Sequence, residues 1–390
     1  MTATNSGAPA RFPGVGAPAR PGWRTRRRHH AEHRADQHAA ALTAERLIWA
    51  WRQACEGAGA SRTVDTPSGP TVSTPAVASV TLGPPTVLIV RLLPGQLPED
   101  LRKAAPRLAP HLGAVALRVE PRGLGWARVE LLDRDPLADP YRIRHHHAGP
   151  VLLGLTESGP LWVDPPDLPH MICQGQTRSG KSTWTYGLLA QLAHRRTVRI
   201  AGVDASGLTL RPFAVADRVV SGLADLDRVE HVLAALVDDM DTRLTAMPVD
   251  RDVLPVDDHH PLILVVLEEW PGILRALDTA DTRQGKRVRA LVARLLAESH
   301  KVGMRVLLLA QRAEATIVGA AERAQCAGRL SFRVDSPEAV KLLHAGAEDL
   351  APDHAGADPG IALYTWPGLP VGRLRAPYLS YAEYARAVAP

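Results

Sequence analysis

Gly175 to Ser182 read Gly-Gln-Thr-Arg-Ser-Gly-Lys-Ser and match G-x-x-x-x-G-K-[ST] at every fixed position. That spacing does specific chemistry. Gly175 and Gly180 let the backbone turn tightly, so that successive N–H groups point at one phosphate chain. Lys181 reaches toward the β- and γ-phosphates, and the Ser182 hydroxyl ligates Mg²⁺. The nucleotide-binding set is Gly175, Gln176, Thr177, Arg178, Ser179, Gly180, Lys181, Ser182 and Thr183, and the expected cofactors are ATP and Mg²⁺. The flanks agree with the motif. Met171-Ile172-Cys173 reads as a buried strand, and Trp184 onward places apolar residues at helical spacing.

A phosphate loop alone binds; hydrolysis needs acids and a water-positioning group. Glu268-Glu269 directly follow the apolar run Leu262–Leu267. Ligands in open α/β sheets bind at the carboxyl ends of strands, which brings this pair beside the loop. Two adjacent carboxylates ending a buried strand are costly without a cation. Glu268 is therefore assigned to Mg²⁺, and Glu269 to orienting and deprotonating the attacking water. Gln311, after the next apolar run, is the expected γ-phosphate or water contact. Arg329 and Arg333 are candidates for arginine fingers acting across a subunit boundary, with Arg312 as a substitute.

These residues need a scaffold. From His170 the chain alternates apolar strands (198–204, 262–267, 304–310, 328–334) with helical patterns (226–247, 285–302, 336–344), which predicts a parallel sheet covered on both faces. Upstream, Thr86–Leu93, Val115–Glu120 and Trp126–Leu132 read as strands around a helical stretch at 97–112, where Pro106 and Pro110 predict a broken helix. Val151–Leu155 and Leu161–Asp164 suggest a hairpin leading into the loop. His145-His146-His147 lack the spacing of a metal site.

Composition sets bounds. The 390 residues suffice for two or three domains, and 45% hydrophobic residues suffice for a core. Net charge is +5, almost all of it from arginine, and only five residues are lysine. A basic chain suits a polyanionic partner, although Arg, Ala and Pro enrichment is also what a G+C-rich genome yields. Three scattered cysteines, with no C-x-x-C, predict reduced thiols in the cytoplasm. No apolar run approaches the ~18 residues of a membrane span, and no signal-peptide pattern opens the chain.

With these residues in hand, the chain resembles the FtsK/SpoIIIE-type DNA translocases, in a layout similar to the short soluble versions carried by actinomycete conjugative plasmids. The resemblance covers about residues 80–350. It rests on Pro169-His170 leading the loop, Asp238 to Met247, Glu298 to Arg312, Arg329 to Ser336 and Gly346 to Leu350. Departures stand beside it. The usual Asp-Glu pair is Glu268-Glu269; the Asp-Pro-Lys after the second strand is Asp204-Ala205-Ser206; no proline follows Gln311-Arg312. No long membrane segment precedes the motor, and too few residues follow it for a winged-helix domain, so sequence-directed loading is not expected.

The resemblance implies an α/β RecA-like P-loop ATPase at 141–370, with a small α/β module of the family's β type at 80–140. A disordered basic tail (1–37), an amphipathic helix (38–60), a linker (61–79) and a C-terminal tail (371–390) complete the expected organisation. It implies an ATP-dependent double-stranded DNA translocase for plasmid transfer or DNA segregation, acting as a homo-hexameric ring, with a membrane-associated partner as an option. The alternatives are an ATPase of a protein-secretion apparatus and a nucleotide-gated DNA-binding protein without turnover.

Overall fold

The computed structural model describes residues 23–67, 69–142, 148–313, 318–347 and 350–389, with side chains from Asp36 onward apart from Thr66 and Asp353. Residues 1–22, the triplet His145–His147 and Glu348-Asp349 lie outside the described residues.

The chain opens with α1 (Trp23–Gly57). The tail expected to be disordered is thus helical from Trp23; the run from Ala31 to Arg46 is rich in Ala, Glu, Gln and Arg, which favour helix. The last turns of α1 are its anchor. Trp51, Ala54 and Cys55 are buried, and the Trp51 indole N–H donates to Pro75 O at 2.7 Å.

The expected linker is also ordered. Residues 61–79 contain an antiparallel hairpin of β1 (Arg62–Thr66) and β2 (Gly69–Ser73), then the start of β3 (Ala76–Thr81). Its Thr and Val content suits a pleated strand as well as a linker, and the strand wins once partners are present. β4 (Thr86–Arg91), α2 (Pro98–Leu108), β5 (Ala116–Pro121) and β6 (Trp126–Leu132) complete a four-stranded antiparallel sheet ordered β3-β4-β6-β5. Leu101, Ala104, Ala105 and Leu108 form the buried stripe of α2. After Pro106 the helix tightens into a 3₁₀ turn at Ala109–Leu112, as a ring that removes a donor and crowds the preceding turn requires.

The larger unit is one ten-stranded sheet. Its strands are β7 (Val151–Thr156), β8 (Gly159–Val163), β9 (Met171–Gln174), β10 (Val198–Asp204), β11 (Val219–Ser221), β12 (Leu262–Glu268), β13 (Met304–Ala310), β14 (Gly328–Phe332), β15 (Ile361–Trp366) and β16 (Leu369–Arg375). The order β11-β10-β12-β13-β9-β14 is parallel throughout, with β9 near its middle. β15, β16, β7 and β8 then extend the sheet in antiparallel fashion. β12 and β13 are buried along their whole length, as strands covered on both faces must be.

One face packs on α3 (Lys181–Leu192) and α10 (Tyr381–Val388), the other on α4 (Leu226–Thr245), α5 (Trp270–Ala280) and α6 (Thr282–Glu298). Three short helices, α7 (Ala320–Gln325), α8 (Pro337–Leu343) and α9 (Ala351–His354), flank β14. The stretch 371–390 is no tail: β16 pairs in the sheet, and Tyr384 and Val388 of α10 are in its core.

Candidate nucleotide-binding site

The phosphate loop hangs between two strands. Gly175 N–H donates to Ala310 O at 3.1 Å, and Gln176 N–H donates to Arg333 O at 3.0 Å. Two glycines permit the curl. A Cβ on Gly175 would stand 2.5 Å from Ser179 Oγ and 2.7 Å from Phe332 Cβ. Gly180 has φ +112°, and a Cβ there would approach Gly360 N to 2.6 Å. Gly360 N–H in turn donates to Ser179 O at 2.8 Å, so residues just before β15 wall the loop from outside. Arg178 takes φ +64°, the left-handed turn that arches the exposed side of the loop.

α3 begins at Lys181 with no side-chain cap. Its first-turn amides have no carbonyl one turn back, and the helix dipole adds positive potential there. They face a pocket of about 410 Å³ lined by the loop residues other than the buried Ser179, with Ala205, Ser206, Glu268, Glu269 and Gln311. Residues separated by more than a hundred positions thus meet where the reading of strand ends put them. Lys181 is buried, its Nζ 3.7 Å from Glu268 Oε1 and 4.0 Å from Glu269 Oε2. The two carboxylates are the counter-charges within 4.0 Å of its ammonium.

Glu268 is the last residue of β12 and is 7% exposed. Burial pushes its carboxyl up to about 7; Lys181 pulls the other way, and the neighbouring Asp204 carboxylate adds to the rise. Its Oε2 has no hydrogen-bond partner. A buried, unpartnered carboxylate oxygen beside an exposed serine hydroxyl, Ser182, fits a divalent cation well. Glu269 sits at φ +54°, a conformation rarely taken by non-glycine residues and often found at functional sites. Its carbonyl starts α5 by accepting from Gly272 N–H at 2.7 Å, and its side chain reaches the pocket wall.

Asp204, buried at the end of β10, was read only as part of a departure. Its Oδ1 accepts from Ser206 N–H (2.9 Å), Ser206 Oγ (2.7 Å) and Gly207 N–H (3.0 Å), while Oδ2 accepts from Leu210 N–H (2.9 Å). It fixes the turn that presents Ala205 and Ser206 to the pocket. An acid followed two residues later by serine was the available signal.

The arginines separate. Arg329 is tied within its own chain: its guanidinium donates to Cys326 O, Leu343 O and Arg323 O at 2.8–2.9 Å, one bond from each nitrogen. Three of its five N–H groups are used in this way, which anchors the guanidinium to its own chain. Arg333 makes one long contact, to Ala357 O at 3.4 Å, and its buried Nε is unpartnered. Arg312 pairs with Asp335 at 3.3 Å on the surface.

A family model described as FtsK/SpoIIIE family matches residues 135–253, the stretch that carries the phosphate loop. Over these residues the chain is similar to the FtsK/SpoIIIE family. The DNA translocase FtsK of Mycobacterium tuberculosis (strain ATCC 25618 / H37Rv) is 24% identical over 306 residues, covering 71% of this chain and 35% of that protein. That of Treponema pallidum (strain Nichols) is 24% identical over 261 residues, covering 62% of this chain and 31% of that protein. The chain therefore spans about a third of the length of these FtsK relatives. Among solved structures, the pCW3 conjugation coupling protein TcpA in its monomer form with ATPgS superimposes with a TM-score of 0.54 at 18% identity, over 88% of this chain and 99% of that one. EssC (ATPases 2 and 3) from Geobacillus thermodenitrificans gives 0.51 at 14% identity, over 65% of this chain and 50% of that one. These two likenesses show that the chain shares the fold of both proteins. Among the described residues, no helix is long and apolar enough to cross a membrane.

Proposed function

We propose that this protein is an ATP-hydrolysing motor that moves double-stranded DNA, in plasmid transfer or DNA segregation, as a homo-hexameric ring in the cytoplasm. One observation carries the reading: phosphate loop, Lys181, both acids and Gln311 converge on a single pocket at the carboxyl end of a parallel sheet.

Each residue then has a task. The loop amides and Lys181 hold the β- and γ-phosphates. Ser182 and Glu268 would hold Mg²⁺, which would offset the charge of the phosphates. Glu269 orients the attacking water and accepts its proton; Gln311 contacts the γ-phosphate. Arg333, with an unpartnered buried nitrogen, and Arg329 are the finger candidates, with Arg312 as a substitute. The net charge of +5 suits grip on a phosphate backbone without base readout. A membrane-associated partner would localise such a ring.

A second reading, nucleotide binding without turnover, draws on Glu268, one methylene longer than the usual aspartate, and on Ser206 in place of a lysine. One experiment separates them: ATPase rate with and without duplex DNA across a salt series. Duplex stimulation that fades with salt supports the motor. Tight ATP binding with no turnover under any condition supports the second reading, and stimulation by a secreted polypeptide rather than DNA supports a secretion ATPase.

A further inference from the structure

Directly behind the phosphate loop lies a chain of buried polar groups that the chemistry above does not use. Gln174 is the last residue of β9, fully buried, and pairs in register with Ala310 on one side and Ser331 on the other. Its carboxamide is saturated. Oε1 accepts from Ala313 N–H at 2.9 Å, and Nε2 donates to Ser331 Oγ at 2.7 Å and Ala339 O at 2.8 Å. Ser331 Oγ then meets His344 Nε2 at 2.8 Å, and His344 Nδ1 meets Thr365 Oγ1 at 2.8 Å. One proton arrangement satisfies the chain: the Ser331 hydroxyl donates to His344 Nε2, and His344 Nδ1–H donates to Thr365. That requires a neutral imidazole, and burial supplies it by pushing His344 down to about 3.

The consequence lies in what Gln174 spans. Gln311 and Arg312 form a two-residue arch between Ala310 and Ala313. One foot of the arch is held by Gly175 N–H on Ala310 O, the other by the Gln174 side chain on Ala313 N–H. Both feet stand on consecutive residues of the strand that becomes the phosphate loop. The arch therefore moves with the loop, and Gln311 is kept at a fixed distance from the place of the γ-phosphate. Through Ala339 and Ser331 the same side chain ties α8 and β14 into that unit.

We propose that Gln174 is a positioning residue: it sets the stance of Gln311 and so the preference of the pocket for a triphosphate over a diphosphate. This rests on the nucleotide reading of the pocket, but not on turnover.

The test is binding of ATPγS and of ADP, each with Mg²⁺, to the full chain and to Gln174→Met, Gln311→Ala and the double variant. Losing one charge-assisted contact to the γ-phosphate is worth roughly tenfold. Gln174→Met and Gln311→Ala are each expected to cut the ATPγS-over-ADP preference about tenfold, leaving ADP affinity within about twofold. The double variant is expected to lose no more than either alone, because both act through one contact. Additive losses, equal weakening of both nucleotides, or a change confined to melting temperature would overturn the assignment. If Gln174→Met does not fold, Gln174→Glu keeps the acceptor for Ala313 N–H and drops both donors. Its preference should then stay within about threefold of the parent, and a full loss would overturn the proposal. A parent chain binding both nucleotides equally also sinks it, whereas one binding neither, indistinguishable from Lys181→Ala, removes the nucleotide reading itself.

Discussion

Two buried polar regions lie within a few residues of each other and are built on opposite terms. In the pocket, Glu268 Oε2 is out of water with no partner, and Ser179 Oγ, also unpartnered, is buried beneath the loop beside Gly175. One strand position back, Gln174, Ser331 and His344 spend every hydrogen bond they have. Unmet polar groups are expensive inside a protein, and a closed network costs little by comparison. The contrast separates a surface kept ready for a charged ligand from the frame that keeps it in shape. Three further orphans, His170 Nε2, Ser299 Oγ and Arg333 Nε, do not all fit this division. Arg333 adjoins the loop, whereas His170 and Ser299 lie toward the opposite end of the sheet, where the structure offers no functional account of them.

The comparison can be broken most forcefully at the pocket. Glu269→Gln is expected to lower the hydrolysis rate by about 10²–10⁴-fold, the usual worth of a general base, while ATP binding persists; steady-state turnover and equilibrium binding on one preparation read both. Equal loss of binding would make Glu269 a scaffold element and blur the line between the two regions.

Next comes acid sensitivity of the frame. His344 is neutral in the fold, with its pKa pushed down to about 3, while the unfolded imidazole titrates near 6.5. The unfolded chain then binds more protons between those values, so stability falls as pH drops from about 6.5 toward 3. The loss from this group is on the order of 5 kcal/mol. Denaturant unfolding across that range should show the slope, and His344→Gln should flatten it. An unchanged slope would mean that the network does not hold the ring neutral.

The pocket carries the reverse sign. Glu268 titrates higher in the fold, about 7, than in the unfolded chain, so its stabilising protonated form is lost as pH rises from about 4.5 through 7. In chelator, Glu268→Gln should therefore stabilise the protein at pH 8 by about 1–3 kcal/mol and do nothing near pH 4. Thermal unfolding at the two pH values checks it; destabilisation at pH 8 would show that the carboxylate already has a partner.

A surface pair sets the baseline. Arg312–Asp335 is half exposed on both sides, and Arg312→Ala should change stability by less than about 1 kcal/mol in urea titrations. A larger effect would mean the arch over the loop is supported from outside as well as by Gln174.

How much of this was legible depends on range. The loop, its flanking strand and helix, and the acids at the end of a fully apolar run are contiguous patterns, and their periodicity carries them. Gln174 is invisible to such reading, because a glutamine closing a three-residue apolar run has no signature until β13 and β14 stand beside it. The anchoring of Arg329 is invisible for the same reason: its three carbonyl partners lie on segments that only the fold gathers. The antiparallel half of the sheet was missed where pairing is remote, as between β16 and β7, which meet through Leu374 and Thr156. The hairpin at 62–73 looked like a linker because Thr, Pro and Ser serve both states.

The stacked rings of Tyr186 and Tyr384, 4.6 Å between centroids, join the helix behind the lysine to the last helix of the chain, and the Tyr384 hydroxyl donates to Thr209 O at 2.5 Å. Shortening the protein at residue 370 would strip the cover from the back of the nucleotide helix.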